Sequence, residues 1–194
     1  MSEAWLIVGL GNPGAKYAAT RHNVGQMALD LLAERSQARF GAHRAGARVA
    51  ETRPVPGGPK FILAKSNGYM NQSGGPVSAL ANYYHVPADR VIVLHDELDI
   101  PFDTVRVKLG GGHGGHNGLR DIAKALGTPD FLRVRIGIGR PPGRQDPADY
   151  VLKPFATAER DALGVLLEDA ADATESLVAE GLLATQQRYH GRER

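Results

Sequence analysis

The sequence predicts an α/β fold: a single globular domain, residues 1–194, built on a mixed β-sheet. Six runs, at about 4–9, 47–53, 59–64, 91–95, 104–109 and 132–138, are β-branched or apolar and bounded by Gly, Pro or Asp, which reads as strands. Helical spacing of apolar residues lies between them. Arg53-Pro54-Val55-Pro56-Gly57-Gly58-Pro59 is a turn joining neighbouring strands, so at least one pair is antiparallel and the sheet is mixed.

The first run, Ala4-Trp5-Leu6-Ile7-Val8, ends in Gly9-Leu10-Gly11-Asn12-Pro13-Gly14. Gly9-x-Gly11-x-x-Gly14 formally matches a dinucleotide-binding fingerprint, which requires a helix opening directly at the glycines. Here Pro13 occupies the turn, helical periodicity starts only near Arg21, and the next acid at the right distance, Glu34, falls inside the helix. The fingerprint is therefore rejected. Instead the loop presents Asn12 at a strand end, where open α/β folds place their chemistry.

Thr20 is the expected N-cap of a helix carrying Val24, Met27, Ala28, Leu31 and Leu32. That puts His22 near the second helical position. The helix terminus there favours neutral imidazole, and a nearby carboxylate would oppose it. Asn67-Gly68-Tyr69-Met70-Asn71-Gln72-Ser73 precedes a second helix, entered through Pro76 and carrying Val77, Leu80, Ala81 and Tyr84. Asn71 there either caps locally or offers its amide to a ligand. His95-Asp96-Glu97-Leu98-Asp99 closes the strand Val91–Leu94, with acids at its carboxyl end. The string Gly110–Gly118 holds six glycines among its first nine residues up to Gly118 along with His113, His116 and Asn117, and it leads into a helix closed by Gly127. So much glycine costs backbone entropy and suits close approach of a backbone or a phosphate. Asp146-Pro147 reads as a cap and first position of a short helix to about 152, and 156–189 as one or two amphipathic helices.

Composition narrows the chemistry. No cysteine is present, which excludes thiol catalysis, disulfides, thiolate zinc and iron–sulfur clusters. There is no signal peptide and no long apolar run, so a soluble, cytoplasmic protein with no membrane partner is expected. Net charge is only +2, but residues 106–144 are basic and 156–184 are acidic, which points to a polarised surface whose basic face would attract phosphate. No nucleophilic Ser or Cys motif accompanies His22, which points to a histidine acting on water.

Taken together, Gly9–Gly14, Tyr17, Thr20–Gly25, Tyr69–Gly74, His95–Asp99, Gly110–Asp121 and Arg135–Pro141 resemble, in order, the bacterial-type peptidyl-tRNA hydrolase family. The resemblance implies a mixed, twisted sheet flanked by helices, and hydrolysis of the ester between a peptide and the 3′ ribose of tRNA. It implies His22 as general base and Asp96 as its orienting partner. Asn12, Asn71 and Asn117 would line the site, and Tyr17, Met70 and His116 would shape it. Arg106, Lys108, Arg133 and Arg135 would hold phosphates of the tRNA acceptor stem. It further implies a monomer with no cofactor and no metal. Two departures stand out: Lys65-Ser66-Asn67-Gly68 where such proteins usually read Lys-Pro-x-Thr before Tyr69, and Gln26 where an aromatic is usual. Two other functions fit some of these residues: an RNA-binding protein without turnover, and a metal hydrolase using His113, His116 and a carboxylate.

Overall fold

The structure is a computed structural model, and it describes residues 3–190. Its strands are β1 (Ala4–Gly9), β2 (Gly41–His43), β3 (Ala47–Thr52), β4 (Lys60–Ser66), β5 (Val91–Glu97), β6 (Val105–Leu109) and β7 (Leu132–Gly137). They form one seven-stranded sheet in the order β2-β3-β4-β1-β5-β7-β6. The four central strands run parallel. The β2-β3-β4 meander and the β7-β6 pair are antiparallel, as the turn at 53–59 foretold for β3 and β4. The expected strands are all present within one or two residues. β2 was not expected, because Gly41-Ala42-His43 has no apolar alternation and pairs only along an edge.

Central strands alternate their side chains between two cores. Ile7, Leu63, Ile92, Leu94 and Val134 face α1 (Val24–Arg35) and α5 (Thr157–Glu180). Leu6, Val8, Ile62, Val91 and Val93 face α2 (Gly74–Tyr83) and α3 (Asn117–Leu126). Both faces are covered, so the parallel strands read as continuous apolar runs. The short helix α4 (Pro147–Val151) starts where expected, with Asp146 Oδ1 accepting from Ala148 N at 3.0 Å. The tail forms two helices, α5 and α6 (Leu182–His190), parted at Gly181. α6 covers the outer edge of β6, where His190 Nε2 accepts from Val107 N at 2.9 Å. That blunts an edge otherwise open to pairing.

One expectation fails locally. Thr20 does not cap: its hydroxyl donates to Tyr17 O at 2.8 Å, and a 3-10 turn over Arg21–Asn23 precedes α1. Its backbone instead bridges to Pro154, so tertiary pairing takes the place of the local cap. No helix among the described residues is long and apolar enough to cross a membrane.

Candidate active site

The carboxyl ends of β1, β4 and β5 lie at one end of the sheet, and the segments leaving them converge there. Gly25 decides how closely α1 approaches. A Cβ at that position would sit 2.1 Å from Leu94 O, so only glycine lets the helix start rest directly on β5. That contact carries the 3-10 turn, and with it His22, over Asp96.

Asp96 is buried and bonded to two imidazoles. Its Oδ2 accepts from His22 Nδ1 at 2.8 Å and its Oδ1 from His116 Nε2 at 2.7 Å. The second ring nitrogen of His116 fixes the proton positions. His116 is the N-cap of α3, and its Nδ1 accepts from Gly118 N at 3.1 Å and Leu119 N at 3.4 Å. An acceptor Nδ1 puts the only proton of a neutral ring on Nε2, aimed at Asp96. His22 likewise gives its Nδ1 proton to Asp96, leaving Nε2 as a lone pair on the cavity side. Among the described residues nothing bonds to that nitrogen. His95, fully buried behind the pair, donates Nδ1–H to Asp96 O at 2.8 Å.

The electrostatics follow from this arrangement. Burial opposes a charge on His22, but Asp96 outweighs it through charge and hydrogen bond, and the pKa rises above its usual value. Burial also works against ionised Asp96, yet His22 and His116 hold its carboxyl well below the carboxylate range. Burial, with His116 close by, pushes His95 down to about 3, so it stays neutral. The opposition expected at His22 is thus settled by the carboxylate.

These groups open into a cavity of about 400 Å³ lined by Asn12, Met70, Asn71, His116 and Asn117, with Leu98, Val151 and Leu152 on an apolar wall. Asn12 Oδ1 accepts from Met70 N at 2.7 Å. The donor there orients the amide, so Nδ2 is the atom Asn12 presents to the cavity. Asn71 is exposed on a 3-10 turn, and its side chain bonds to no described residue, so the capping alternative is not realised. Asn117 opens α3, its Oδ1 taken by Arg120. Tyr17 does not line the cavity; it packs edge-on against Tyr69, which does, with ring centroids 6.2 Å apart.

Ligand atoms of His22, Asp96 and His116 all lie within 4.8 Å of one another. The donor set nevertheless suits protons better than a metal ion. A metal on His116 Nε2 would displace the only proton of a ring whose Nδ1 is already occupied by two amides. A metal on His22 Nδ1 would move that ring's proton to Nε2 and remove the lone pair facing the cavity. His113 is not part of this group; its Nδ1 accepts from Gly115 N at 3.0 Å.

Residues 6–194 match the family described as Peptidyl-tRNA hydrolase. The chain belongs to this family. It is 63% identical over 190 residues to a peptidyl-tRNA hydrolase of Pseudarthrobacter chlorophenolicus, covering 98% of this chain and 97% of that one. An Arthrobacter peptidyl-tRNA hydrolase is 61% identical over the same length, with 98% of each chain covered. The crystal structure of peptidyl-tRNA hydrolase from Acinetobacter baumannii superposes with a TM-score of 0.88 at 34% identity, covering 97% of this chain and 95% of that one. Peptidyl-tRNA hydrolysis is therefore the activity of the family, with peptidyl-tRNA as its substrate class.

The four expected phosphate contacts divide. Arg106 pairs in register with Arg135, and Lys108 with Arg133, so all four share one face of the β6–β7 pair. Lys108 makes no ion pair with the described residues. Burial and the charges of Arg135 and Arg133 lower its pKa. Arg135 is half-committed, with Nε 3.2 Å from Glu97 Oε1. Arg133 is different: it is 0% exposed, and its two Nη groups donate to three backbone carbonyls. A phosphate cannot reach it directly, which corrects the expectation for that residue.

Sequence reasoning missed two supports. Asn23 is buried and grips the backbone of Asn12, its Oδ1 accepting from Asn12 N and its Nδ2 donating to Asn12 O, both at 2.9 Å. Arg21 is buried under the His22 turn, donating to Tyr150 O at 3.2 Å and to Glu159 Oε1 at 3.0 Å. Both stand beside His22 in the string Thr20–Gly25, the one signal that marked them. The two departures are absorbed locally. Ser66 Oγ accepts from Gly68 N at 3.0 Å to close a turn, and Gln26 packs against Gly11.

Proposed function

We propose that this chain, acting as one domain and as a monomer, hydrolyses the peptidyl-tRNA ester by metal-free general-base catalysis at His22. The observation that carries the reading is the Asp96 carboxylate shared by two imidazoles of fixed tautomer, with His22 Nε2 left over at the cavity. A water oxygen attacks the ester carbonyl carbon while His22 Nε2 takes its proton. Asp96 holds the ring and stabilises the imidazolium that forms. The tetrahedral intermediate then expels the ribose 3′ oxygen, which recovers the proton from Nε2. General-base assistance contributes about 10²–10⁴-fold, and each oriented amide donor about 10²–10³-fold. An ester with a ribose leaving group is more reactive than an amide, so these contributions suffice without a covalent nucleophile.

Asn12, Asn71 and Asn117 present neutral amides, which suit a peptide main chain with both donors and acceptors. Arg106, Lys108 and Arg135, on one face of the β6–β7 pair, would hold tRNA phosphates; such contacts weaken steeply with salt. The test is release of N-acetyl-amino acid from acylated tRNA in excess chelator, by wild type and His22→Ala. Turnover by wild type and a loss of roughly 10²–10⁴-fold in the variant are expected. Binding without turnover would leave an RNA-binding protein, and activity lost on chelation would indicate a metal hydrolase.

A further inference from the structure

The glycine-rich segment between β6 and α3 climbs over the face of the sheet, from the end of β6 to His116 beside Asp96. Few side chains are available to anchor it. Gly110 and Gly111 both adopt left-handed conformations, with φ of 66° and 93°, which only glycine takes readily. They bring two successive carbonyls under the buried guanidinium of Arg133. Its Nη1 donates to Gly112 O at 2.7 Å, and its Nη2 to Gly111 O at 3.0 Å and Pro129 O at 3.1 Å. The same group stacks on Phe131, 4.5 Å from the ring centroid, and Phe131 O accepts from Gly110 N at 3.0 Å. Beyond this clamp, His113, Gly114 and Gly115 form part of the cavity wall, and His116 follows with its bond to Asp96.

We propose that Arg133 is a positioning residue that fastens the glycine segment to β7, and through it sets the cavity wall at 113–115 and the His116–Asp96 hydrogen bond. This rests on the esterase reading of the cavity. The physical case is one of entropy and geometry. A glycine-rich chain loses more freedom on ordering than any other. Charge-assisted hydrogen bonds from a planar fork can hold several carbonyls at once, which a single ammonium on a flexible stem cannot. Being buried, Arg133 acts on the substrate only through the segment it holds.

The test compares Arg133→Met and Arg133→Lys with Lys108→Met, using N-acetyl-aminoacyl-tRNA for kcat and KM and deacylated tRNA for binding across a salt series. Arg133→Met is expected to leave the salt slope of tRNA binding unchanged and to lower kcat. Lys108→Met is expected to reduce that slope by about 0.9, one phosphate's worth of released counterion. Amide exchange in Arg133→Met should quicken within 110–119 by roughly 10- to 100-fold, the loss of one charge-assisted hydrogen bond's contribution, and stay unchanged in the central strands. The pH profile gives a sharper reading. If His116 no longer bonds to Asp96, the carboxylate charge falls more fully on His22, and the acid limb of kcat moves to higher pH. Arg133→Lys keeps the charge without the fork, so it should show the same effects in weaker form, and it serves if the Met variant does not fold.

A slope reduced by about 0.9 in Arg133→Met with kcat intact would make Arg133 a phosphate ligand and overturn the proposal. So would wild-type kcat and exchange in Arg133→Lys, or exchange quickened evenly through the whole sheet. Failure of the wild type itself to turn over would instead remove the esterase reading, and is seen separately.

Discussion

Asp96 and Arg35 are each surrounded by side chains of opposite charge or hydrogen-bonding capacity, and they differ in almost everything that matters. Asp96 is 4% exposed and has both oxygens bonded to imidazoles whose remaining nitrogens are fixed by the fold or turned to the cavity. Arg35, on α1, meets Glu168, Asp172 and Glu175 of α5, partners that are 54%, 53% and 38% exposed. Water competes for every one of the Arg35 contacts and almost none of the Asp96 contacts. Exposed pairs contribute about 0–1 kcal/mol, whereas removing one partner of a buried pair costs about 3–5 kcal/mol. A cluster of charges thus says little about function until its burial and its remaining hydrogen-bonding valences are known.

The strongest way to break this contrast is Asp96→Asn. The variant should lose roughly 10²–10⁴-fold in kcat, because ring orientation and imidazolium stabilisation both go. In the proposed mechanism the base must be neutral, so the wild-type rate should fall as pH drops through the raised pKa of His22. Without the carboxylate charge that pKa falls, and the acid limb of kcat moves to lower pH. Stability follows by linkage. The raised pKa of His22 contributes stability that is full below its unfolded value of 6.5 and lost as pH rises through the folded one. The depressed pKa of Asp96 contributes stability that is present above its unfolded value of 3.8 and lost as pH falls through the folded one. Both contributions are complete between 3.8 and 6.5, and a Tm-against-pH curve should lose that plateau in Asp96→Asn.

Asn23→Ala tests a buried support one step from the chemistry. It leaves the N–H and C=O of Asn12 unpaired, at about 1–3 kcal/mol each. Denaturant unfolding should show that loss, and KM should rise because Asn12 is no longer held. The smallest effect belongs to Arg35→Ala, which should cost about 1 kcal/mol or less. That cost should shrink as salt is added, while kcat and KM stay at wild-type values.

Much of this molecule was legible in the chain. The central strands could be read because parallel strands covered on both faces are uninterrupted apolar runs. α3 and α4 were marked by Gly127 and by Asp146-Pro147, whose conformations satisfy local backbone needs. β2 escaped, since three residues at the sheet edge, two of them exposed, carry no pattern. Thr20 misled, because its hydroxyl found Tyr17 O and its backbone found Pro154.

The sequence by itself determined the alternation of strands and helices, the glycine segment, and which polar groups stand at strand ends, because periodicity, turn chemistry and side-chain type are local properties. The string of motifs was enough to show the family likeness. Only the tertiary structure decided that Asp96 serves two imidazoles, that His116 is a helix cap with a fixed proton, and that Arg133 faces carbonyls while Lys108 beside it makes no ion pair with the described residues. Those outcomes depend on which groups meet across the fold and which are shut away from water, and neither burial nor partner is written in the spacing of residues along the chain.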